Sequence, residues 1–116
     1  MSSDLLLDTG VFIDHVRGAR LIEPRGRRVW YSTITRAELF AGRNAPEQGL
    51  QEMLEPYDEL SVGRQAAESG GLLRRLFGLS LPDAIIAATA VIHDLELVSR
   101  DRQFERIPGL RLRESL

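Results

Sequence analysis

Short β-favouring runs alternate with helical segments along this chain. Leu5–Leu7 is continuously apolar, which is typical of a strand buried on both faces of a sheet. The further candidate strands are Val29–Tyr31, Leu60–Val62, Leu95–Ser99 and, with the alternation of a final edge strand, Leu110–Arg113. Alternating strands and helices build parallel sheets covered by helices, so the sequence predicts an open α/β sheet. Ligands of such sheets bind outside the carboxyl ends of the strands.

Five segments have helical character. They are Val11–Val16, Arg36–Gly42, Pro46–Glu55, Arg64–Phe77 and Pro82–His93. The last of them is apolar or small on nearly every side, which indicates burial against the sheet. A Gly70-Gly71 pair inside the fourth predicts a bend or a break, because each glycine costs about 1 kcal/mol relative to alanine in a helix. Between the first two strands, Arg20–Arg28 contains Pro24 and Gly26 and predicts a polar connection or a much shortened helix.

The length of 116 residues fits one domain that spans the whole chain, 1–116. The longest nearly unbroken apolar stretch, Ala84–Ile92, is far shorter than the ~20 residues that a membrane helix needs. Met1–Asp8 lacks the basic start and the apolar run of a secretion signal. We therefore expect a cytoplasmic protein without a membrane segment.

Two residue types are missing, and each absence excludes classes of chemistry. Without cysteine the chain has no disulfide, no thiolate zinc site and no cysteine nucleophile. All 15 basic residues are arginines, which excludes Schiff-base chemistry and a Walker A phosphate loop. The two histidines, His15 and His93, belong to no metal-binding or hydrolase motif, so we interpret them as structural.

The net charge of −2 argues against a nonspecific, basic nucleic-acid-binding protein. If four acids hold a cation, however, the rest of the chain carries a net positive charge. All of that charge is on arginine, whose planar guanidinium suits phosphate. The composition of the genome explains the exclusive use of arginine equally well.

Four acidic residues fall at the ends of predicted strands or near the starts of predicted helices. Asp8 ends the first strand, and Asp101 follows the fourth. Asp83 opens the apolar helix, and Glu38 lies on the helix after the second strand. Because the carboxyl ends of parallel strands meet at one edge of a sheet, these acids are expected where a ligand of the sheet would bind.

Each acid taken singly also has a structural interpretation. The two strand-end acids could close polar turns. The two helix acids each stand three residues after a hydroxyl residue, Thr35 or Ser80, which is the spacing of a helix cap. Gathered at one sheet edge, however, four carboxylates repel each other unless a cation neutralises them. Oxygen ligands without thiolates or paired histidines favour Mg²⁺ or Mn²⁺ over zinc.

Four segments, which together cover most of the chain, carry a family resemblance. They are LLLDTGVFIDHVRG at 5–18, STITRAELFAG at 32–42, LSLPDAIIAATAVIHDLELVSRD at 79–101 and FERIPGL at 104–110. This pattern resembles the PIN-domain ribonucleases of the VapC toxin type, the toxic half of type II toxin–antitoxin pairs. The resemblance implies a three-layer α/β/α fold with a short central parallel sheet and an acidic site at the carboxyl ends of the strands.

In that family the acids at the positions of Asp8, Glu38, Asp83 and Asp101 form the metal site. The resemblance implies hydrolysis of an RNA phosphodiester by a water that Mg²⁺ or Mn²⁺ activates, which leaves a 5′-phosphate and a 3′-hydroxyl. We interpret Asp8 and Asp83 as the most direct ligands and Asp101 as a ligand either directly or through water. Glu38 is a ligand or the base that orients the attacking water.

Other positions support the site or depart from the family pattern. Thr9 and Ser99 are expected to orient the metal-binding carboxylates without contacting the metal themselves. Position 10 is Gly10, where the family often has Asn or Ser, so a polar side chain beside the metal is missing. The segment Arg20–Arg28 is shorter than its usual counterpart, which affects the substrate cleft or the antitoxin surface rather than the four acids.

Arginines near the predicted site are candidate contacts to RNA phosphates, although solvated turn arginines explain them equally well. They are Arg36, Arg43, Arg100 and Arg102. Trp30 and Tyr31 are more typical of a core than of a base-stacking platform. The family resemblance further implies a homodimer that a cognate VapB-type antitoxin silences.

Two alternatives remain at this point, and a third lacks the residues it needs. A PIN-like domain without turnover would bind RNA or protein, although all four acids are retained. DNA is a possible substrate of the same chemistry, because the acids do not read the 2′-hydroxyl. An aspartyl-nucleophile phosphatase would need a second aspartate at position 10 and a lysine, and the chain has neither.

Overall fold

The computed structural model describes residues 4–16 and 26–116. Within them lie five strands: β1 (Leu5–Leu7), β2 (Val29–Ser32), β3 (Asp58–Leu60), β4 (Glu96–Val98) and β5 (Leu112–Arg113). The helices of the same part of the chain are α1 (Thr9–Val16), α2 (Thr33–Phe40), α3 (Glu47–Leu54), α4 (Arg64–Phe77), α5 (Leu81–Ile92) and a short 3-10 helix, Arg102–Arg106. The predicted α/β class is confirmed.

The strands form one parallel sheet in the order β3-β2-β1-β4-β5. The chain therefore starts in the middle of the sheet, builds outward through β2 to β3, and returns to the other side of β1 as β4. Such a reversal of strand order opens a crevice at the carboxyl ends of the two strands that flank it. In this protein the crevice lies where β1 and β4 end.

Apolar side chains pack on both faces of the sheet. Leu6 of β1 belongs to a cluster with residues of α5, while Leu5 and Leu7 point to the opposite face and pack with Phe12 and Tyr31. Alternate residues of a strand face opposite sides, so a strand as apolar as β1 needs a helix layer on each. The three-layer α/β/α architecture is thereby confirmed, and Tyr31, 2% exposed, is a core residue as predicted.

Two predicted boundaries are wrong by a few residues. Helix α2 begins at Thr33 because Ser32, at the end of β2, caps it by accepting a hydrogen bond from the backbone N of Ile34 at 3.0 Å. The third strand is Asp58–Leu60 rather than Leu60–Val62. It is an edge strand, where polar residues are tolerated, so its apolar pattern is weak.

The predicted break at the Gly70-Gly71 pair is also wrong, since α4 is one continuous helix of 14 residues. A Cβ atom at Gly70 would lie 2.7 Å from Cγ1 and 2.9 Å from Cα of Ile85 in α5. Because glycine has no Cβ atom, Gly70 allows the backbones of α4 and α5 to approach closely. Residues 20–25 of the predicted polar connection lie outside the described residues.

No single helix in the described part of the chain is long and apolar enough to cross a membrane. Helices α4 and α5 pass that test only as a pair, and they are bent by 119° at the break between them.

The close approach of α4 and α5 can be tested with two alanine substitutions. Gly70→Ala is expected to lower the free energy of unfolding by about 1–2 kcal/mol, because the new methyl group overlaps the backbone of Ile85. Gly71→Ala is the matched control, since a Cβ there meets nothing within 4 Å. It should raise stability by up to ~1 kcal/mol through helix propensity. Urea unfolding followed by circular dichroism measures both, and shifts of the same sign would contradict this account of the packing.

Candidate active site

Asp8 occupies the crevice at the end of β1. Its side chain is buried, with the residue 8% exposed. Its Oδ1 accepts a hydrogen bond from the backbone N of Thr9 at 2.8 Å, and its Oδ2 accepts one from Ser99 Oγ at 2.8 Å. Burial raises the pKa of Asp8 to about 6; the hydrogen bond from Ser99 opposes this rise, and the charge of Asp83 adds to it.

Ser99 connects the two strand ends of the crevice. It follows β4 directly, is 3% exposed, and donates its hydroxyl hydrogen to Asp8. The same oxygen accepts a hydrogen bond from the backbone N of Asp101 at 3.1 Å. Ser99 thus fixes the Asp8 carboxylate and the start of the turn that carries Asp101.

Thr9 connects Asp8 to Glu38. Its hydroxyl donates to Glu38 Oε1 at 2.7 Å, across from α1 to α2. A second threonine hydroxyl, Thr35 Oγ1, lies 3.0 Å from Thr9 Oγ1. The sequence spacing suggested Thr35 as the cap of α2, but the cap is Ser32. Thr35 is a fully buried residue within that helix. Its contact with Thr9 joins residues 26 positions apart, and no local pattern in the sequence predicts it.

Asp83 lies in the first turn of α5, where Ser80 caps the helix as the spacing predicted. Ser80 Oγ accepts a hydrogen bond from the backbone N of Asp83 at 3.3 Å. Burial raises the pKa of Asp83; the hydrogen bond with Ser80 opposes the rise, and the charges of Asp101 and Glu38 add to it.

Asp101 both caps a short helix and lies near the other acids. Its Oδ1 accepts from the backbone N of Gln103 at 3.0 Å and so caps the short 3-10 helix, which agrees with the turn-closing interpretation. Its backbone N donates to Ser99 Oγ, which itself donates to Asp8, so Asp101 lies next to the crevice. The charge of Asp101 also raises the pKa of Asp83. A structural role and a place beside the acidic cluster are compatible for this residue.

The four predicted acids therefore face one region, which we call the acidic cluster (Asp8, Glu38, Asp83 and Asp101). Each repels at least one of the others electrostatically. Among the described residues no arginine forms an ion pair with any of them. The same residues also contain no group of three or more carboxylate or imidazole side chains arranged so that it could hold a metal ion. Uncompensated oxygen donors fit a hard divalent cation that keeps several water ligands.

Position 10 leaves open space beside the cluster. A Cβ atom on Gly10 would lie 4.0 Å from Asp8 Oδ2, which is ordinary van der Waals contact. A polar side chain at this position would therefore stand next to the carboxylate without steric conflict.

Three of the four candidate RNA-binding arginines have acidic partners that sequence analysis did not foresee. Arg36 pairs with Glu59 and donates to the hydroxyl of Tyr31 at 2.7 Å. Arg100 pairs with Asp14, and Arg102 lies 3.4 Å from Glu105. The fourth, Arg43, is exposed and forms no ion pair within the described part of the chain. All four remain predictions as RNA contacts.

A cleft of about 330 Å³ opens beside Asp101 at the carboxyl ends of β4 and β5. Its lining residues are Ser99, Arg100, Asp101, Arg102, Glu105, Leu112 and Glu114. Asp101 belongs to both the cleft and the acidic cluster, and Ser99 of the lining donates a hydrogen bond to Asp8, so the cleft adjoins the cluster. The candidate chemistry is thus bordered by a polar groove rather than an apolar pocket.

Comparison with known proteins places this geometry in a family context. Residues 5–110 match the sequence model of the PIN domain family. A comparison with curated protein sequences found no match.

Solved structures resemble the chain over nearly its whole length. A chain of a toxin–antitoxin complex from Klebsiella pneumoniae is 33% identical with a TM-score of 0.79, and the match covers 92% of this chain and 95% of that one. A chain of DNA-bound VapBC from Salmonella typhimurium is 27% identical with a TM-score of 0.80, covering 96% and 97%. VapBC-5 from Mycobacterium tuberculosis, at 23% identity and a TM-score of 0.70 over 95% and 97%, shares the fold.

The buried charge of Asp8 should cost stability when no cation is present. Asp8→Asn is expected to raise the unfolding midpoint in EDTA at pH 7.5 by several degrees. The rise of the Asp8 pKa from 3.8 to about 6 on folding means that the ionised carboxylate lowers the free energy of unfolding by about 2–3 kcal/mol, and asparagine removes this cost. When folding raises the pKa of an acid, the folded protein becomes less stable as pH increases from the unfolded-state value of about 4 to the folded-state value of about 6. The difference between variant and wild type should therefore vanish near pH 4.

Asp58→Asn is the control for this measurement. Asp58 is at the amino end of the sheet and pairs with exposed Arg28, so its removal should not raise the midpoint. An Asp8→Asn protein no more stable than wild type at pH 7.5 would contradict the buried-charge account.

Proposed function

Because the chain belongs to the PIN domain family, we propose that it is the toxin of a toxin–antitoxin pair and acts as a metal-dependent endoribonuclease. The observation that carries the proposal is the acidic cluster, whose four carboxylates face one region without an arginine partner among the described residues. Repelling carboxylates are retained at a sheet edge when they bind a cation. The family and the cluster together support hydrolysis of phosphodiester bonds in RNA.

Mg²⁺ or Mn²⁺ is the cofactor that the donor set favours. Asp8 and Asp83 would hold the ion, with Asp101 as a further ligand directly or through water. When bound, such an ion supplies an acidified water and neutralises charge on the phosphoryl group. Glu38 would complete the site as a ligand or as the base that orients the attacking water.

Hydroxyl groups of the protein hold these carboxylates in fixed positions. Ser99 and the backbone of Thr9 each bond one oxygen of Asp8, so the carboxylate cannot rotate freely. Thr9 also fixes Oε1 of Glu38. Carboxylates fixed in this way keep their ligand geometry without reorganising during the reaction.

Substrate binding is assigned to the polar cleft and to arginine. An RNA strand that passes Asp101 in the cleft would bring its phosphates within reach of Arg100 and Arg102. Arg43 provides a further exposed positive charge on the loop after α2. We propose RNA rather than DNA as the substrate on the basis of the family, and the cytoplasm as the place of action.

The proposed partner is a cognate antitoxin of the VapB type, and the proposed free form is a homodimer. The similar chain from Klebsiella pneumoniae is part of a toxin–antitoxin complex, and the one from Salmonella typhimurium is part of a VapBC complex. Exposed apolar side chains are available for such contacts on three helices: Ile13 and Val16 of α1, Leu72 and Leu76 of α4, and Leu81 and Val91 of α5.

Purified protein is expected to cut total cellular RNA in Mg²⁺ or Mn²⁺ and to stop cutting in EDTA. Asp8→Asn and Asp83→Asn should each lower the cleavage rate at least 100-fold, because each removes a ligand charge. Asp58→Asn should cut like wild type. The product ends, read by mass spectrometry, should be 5′-phosphate and 3′-hydroxyl.

Two results would overturn the nuclease proposal. Products with 2′,3′-cyclic phosphate would mean that the ribose hydroxyl, not water, is the nucleophile. Absence of cutting by folded, antitoxin-free protein on many RNAs would favour a binding module instead.

Light scattering tests the proposed partners in one experiment. The chain alone should have about twice its mass of 13.0 kDa, and co-expression with the neighbouring reading frame should give a larger complex that no longer cuts RNA. A monomer that does not bind the neighbouring gene product would contradict both the proposed homodimer and the proposed antitoxin partner.

A further inference from the structure

We propose that Thr35 is a positioning residue that orients the Glu38 carboxylate through the hydroxyl of Thr9. This inference rests on the proposed function, since it concerns the same acidic cluster. The three side chains form one line from the buried interior of α2 to the site: Thr35 Oγ1 to Thr9 Oγ1 is 3.0 Å, and Thr9 Oγ1 to Glu38 Oε1 is 2.7 Å.

The direction of these hydrogen bonds follows from the chemistry of the groups. An ionised carboxylate has no hydrogen to donate, so the Thr9 hydroxyl must donate to Glu38. Thr9 then has only lone pairs left for its other neighbour. Thr35 is therefore the donor to Thr9, and its hydroxyl prevents that of Thr9 from turning away from Glu38.

Thr35 differs from other helical threonines in where its hydroxyl points. A threonine in a helix commonly donates to the carbonyl four residues earlier, as Thr89 does to Ile85 O at 2.7 Å. In the described part of the chain the partner of the Thr35 hydroxyl is instead Thr9, on another helix. Thr35 is also completely buried, so water does not compete for this bond.

The consequence falls on a glutamate that would otherwise be free to move. Glu38 is exposed, and long exposed acids sample several rotamers. The bond from Thr9 to Oε1 restricts the rotamers of Glu38 and so holds its carboxylate near Asp8 and Asp83, whose pKa values the charge of Glu38 raises. The chain of hydroxyls thus couples the packing of α2 against α1 to the geometry of the site.

Two substitutions at position 35 separate the hydroxyl from the volume of the side chain. Thr35→Val removes the hydroxyl and keeps the branched shape, whereas Thr35→Ser keeps the hydroxyl. Thr33→Val is the matched control, because Thr33 lies on the same helix and its hydroxyl accepts from the backbone N of Val62, away from the cluster. Mn²⁺ affinity is measured by calorimetry, RNA cleavage by kcat and KM, and folding by the unfolding midpoint in EDTA.

We expect Thr35→Val to weaken Mn²⁺ binding and to lower kcat, each about 10-fold, with KM for RNA unchanged. Thr35→Ser should restore both quantities to near wild type, and Thr33→Val should leave both unchanged while altering at most the unfolding midpoint. If Thr35→Val does not fold, Thr35→Ala takes its place with the same expectation.

Equal losses in the Val and Ser variants, or a changed midpoint with unchanged Mn²⁺ affinity, would show that Thr35 is merely structural. A wild-type protein that binds Mn²⁺ but cuts no RNA would overturn the proposed function, while the affinity comparison would still decide the role of Thr35. A wild-type protein that does not bind Mn²⁺ would overturn both.

Discussion

A carboxylate buried where the strand order reverses is the constraint on which the rest of this structure depends. Asp8 is placed there because β1 is apolar throughout and must lie at the centre of the sheet, with β2 on one side and β4 on the other. Its hydrogen bonds with Ser99 and Thr9 only partly offset the cost of burial, as the raised pKa shows. The apolar layers on both faces have to supply the stability that this position removes.

In residues 4–16 and 26–116, the arginines that form ion pairs do so with other acids and leave the charge of Asp8 without an ion-pair partner. Arg100 follows Ser99 directly, yet it pairs with Asp14 of α1 rather than with the acidic cluster. Arg111 and Arg113 likewise pair with Asp94 and Glu96 along the edge of the sheet. An arginine bound to Asp8 would stabilise the fold and occupy the place of a cation. Stability and the proposed activity therefore make opposite demands on the same few charges.

Local patterns in the sequence predicted the elements that carry the site, and long-range contacts explain what they missed. An apolar run ending in Asp8 and a helix opened by Ser80 and Asp83 are visible within a few residues, so their placement at the sheet edge could be predicted. Strand β3 was misplaced because an edge strand needs little apolar character. Gly70 was interpreted as a helix breaker, since nothing in the sequence shows that Ile85 lies against it.

The partners of Thr35 and of the arginines could not be predicted for the same reason, and this has a consequence for how the site forms. The bond from Ser99 to Asp8 joins residues 91 positions apart, and the bond from Thr9 to Glu38 joins residues 29 apart. Neither can form until β1 has paired with β4 and α1 has packed against α2. Because such non-local contacts form only as the tertiary structure is completed, the acidic cluster is a property of the whole fold and not of any segment. Local opening at either strand end would therefore remove the geometry of the site before it unfolded the core.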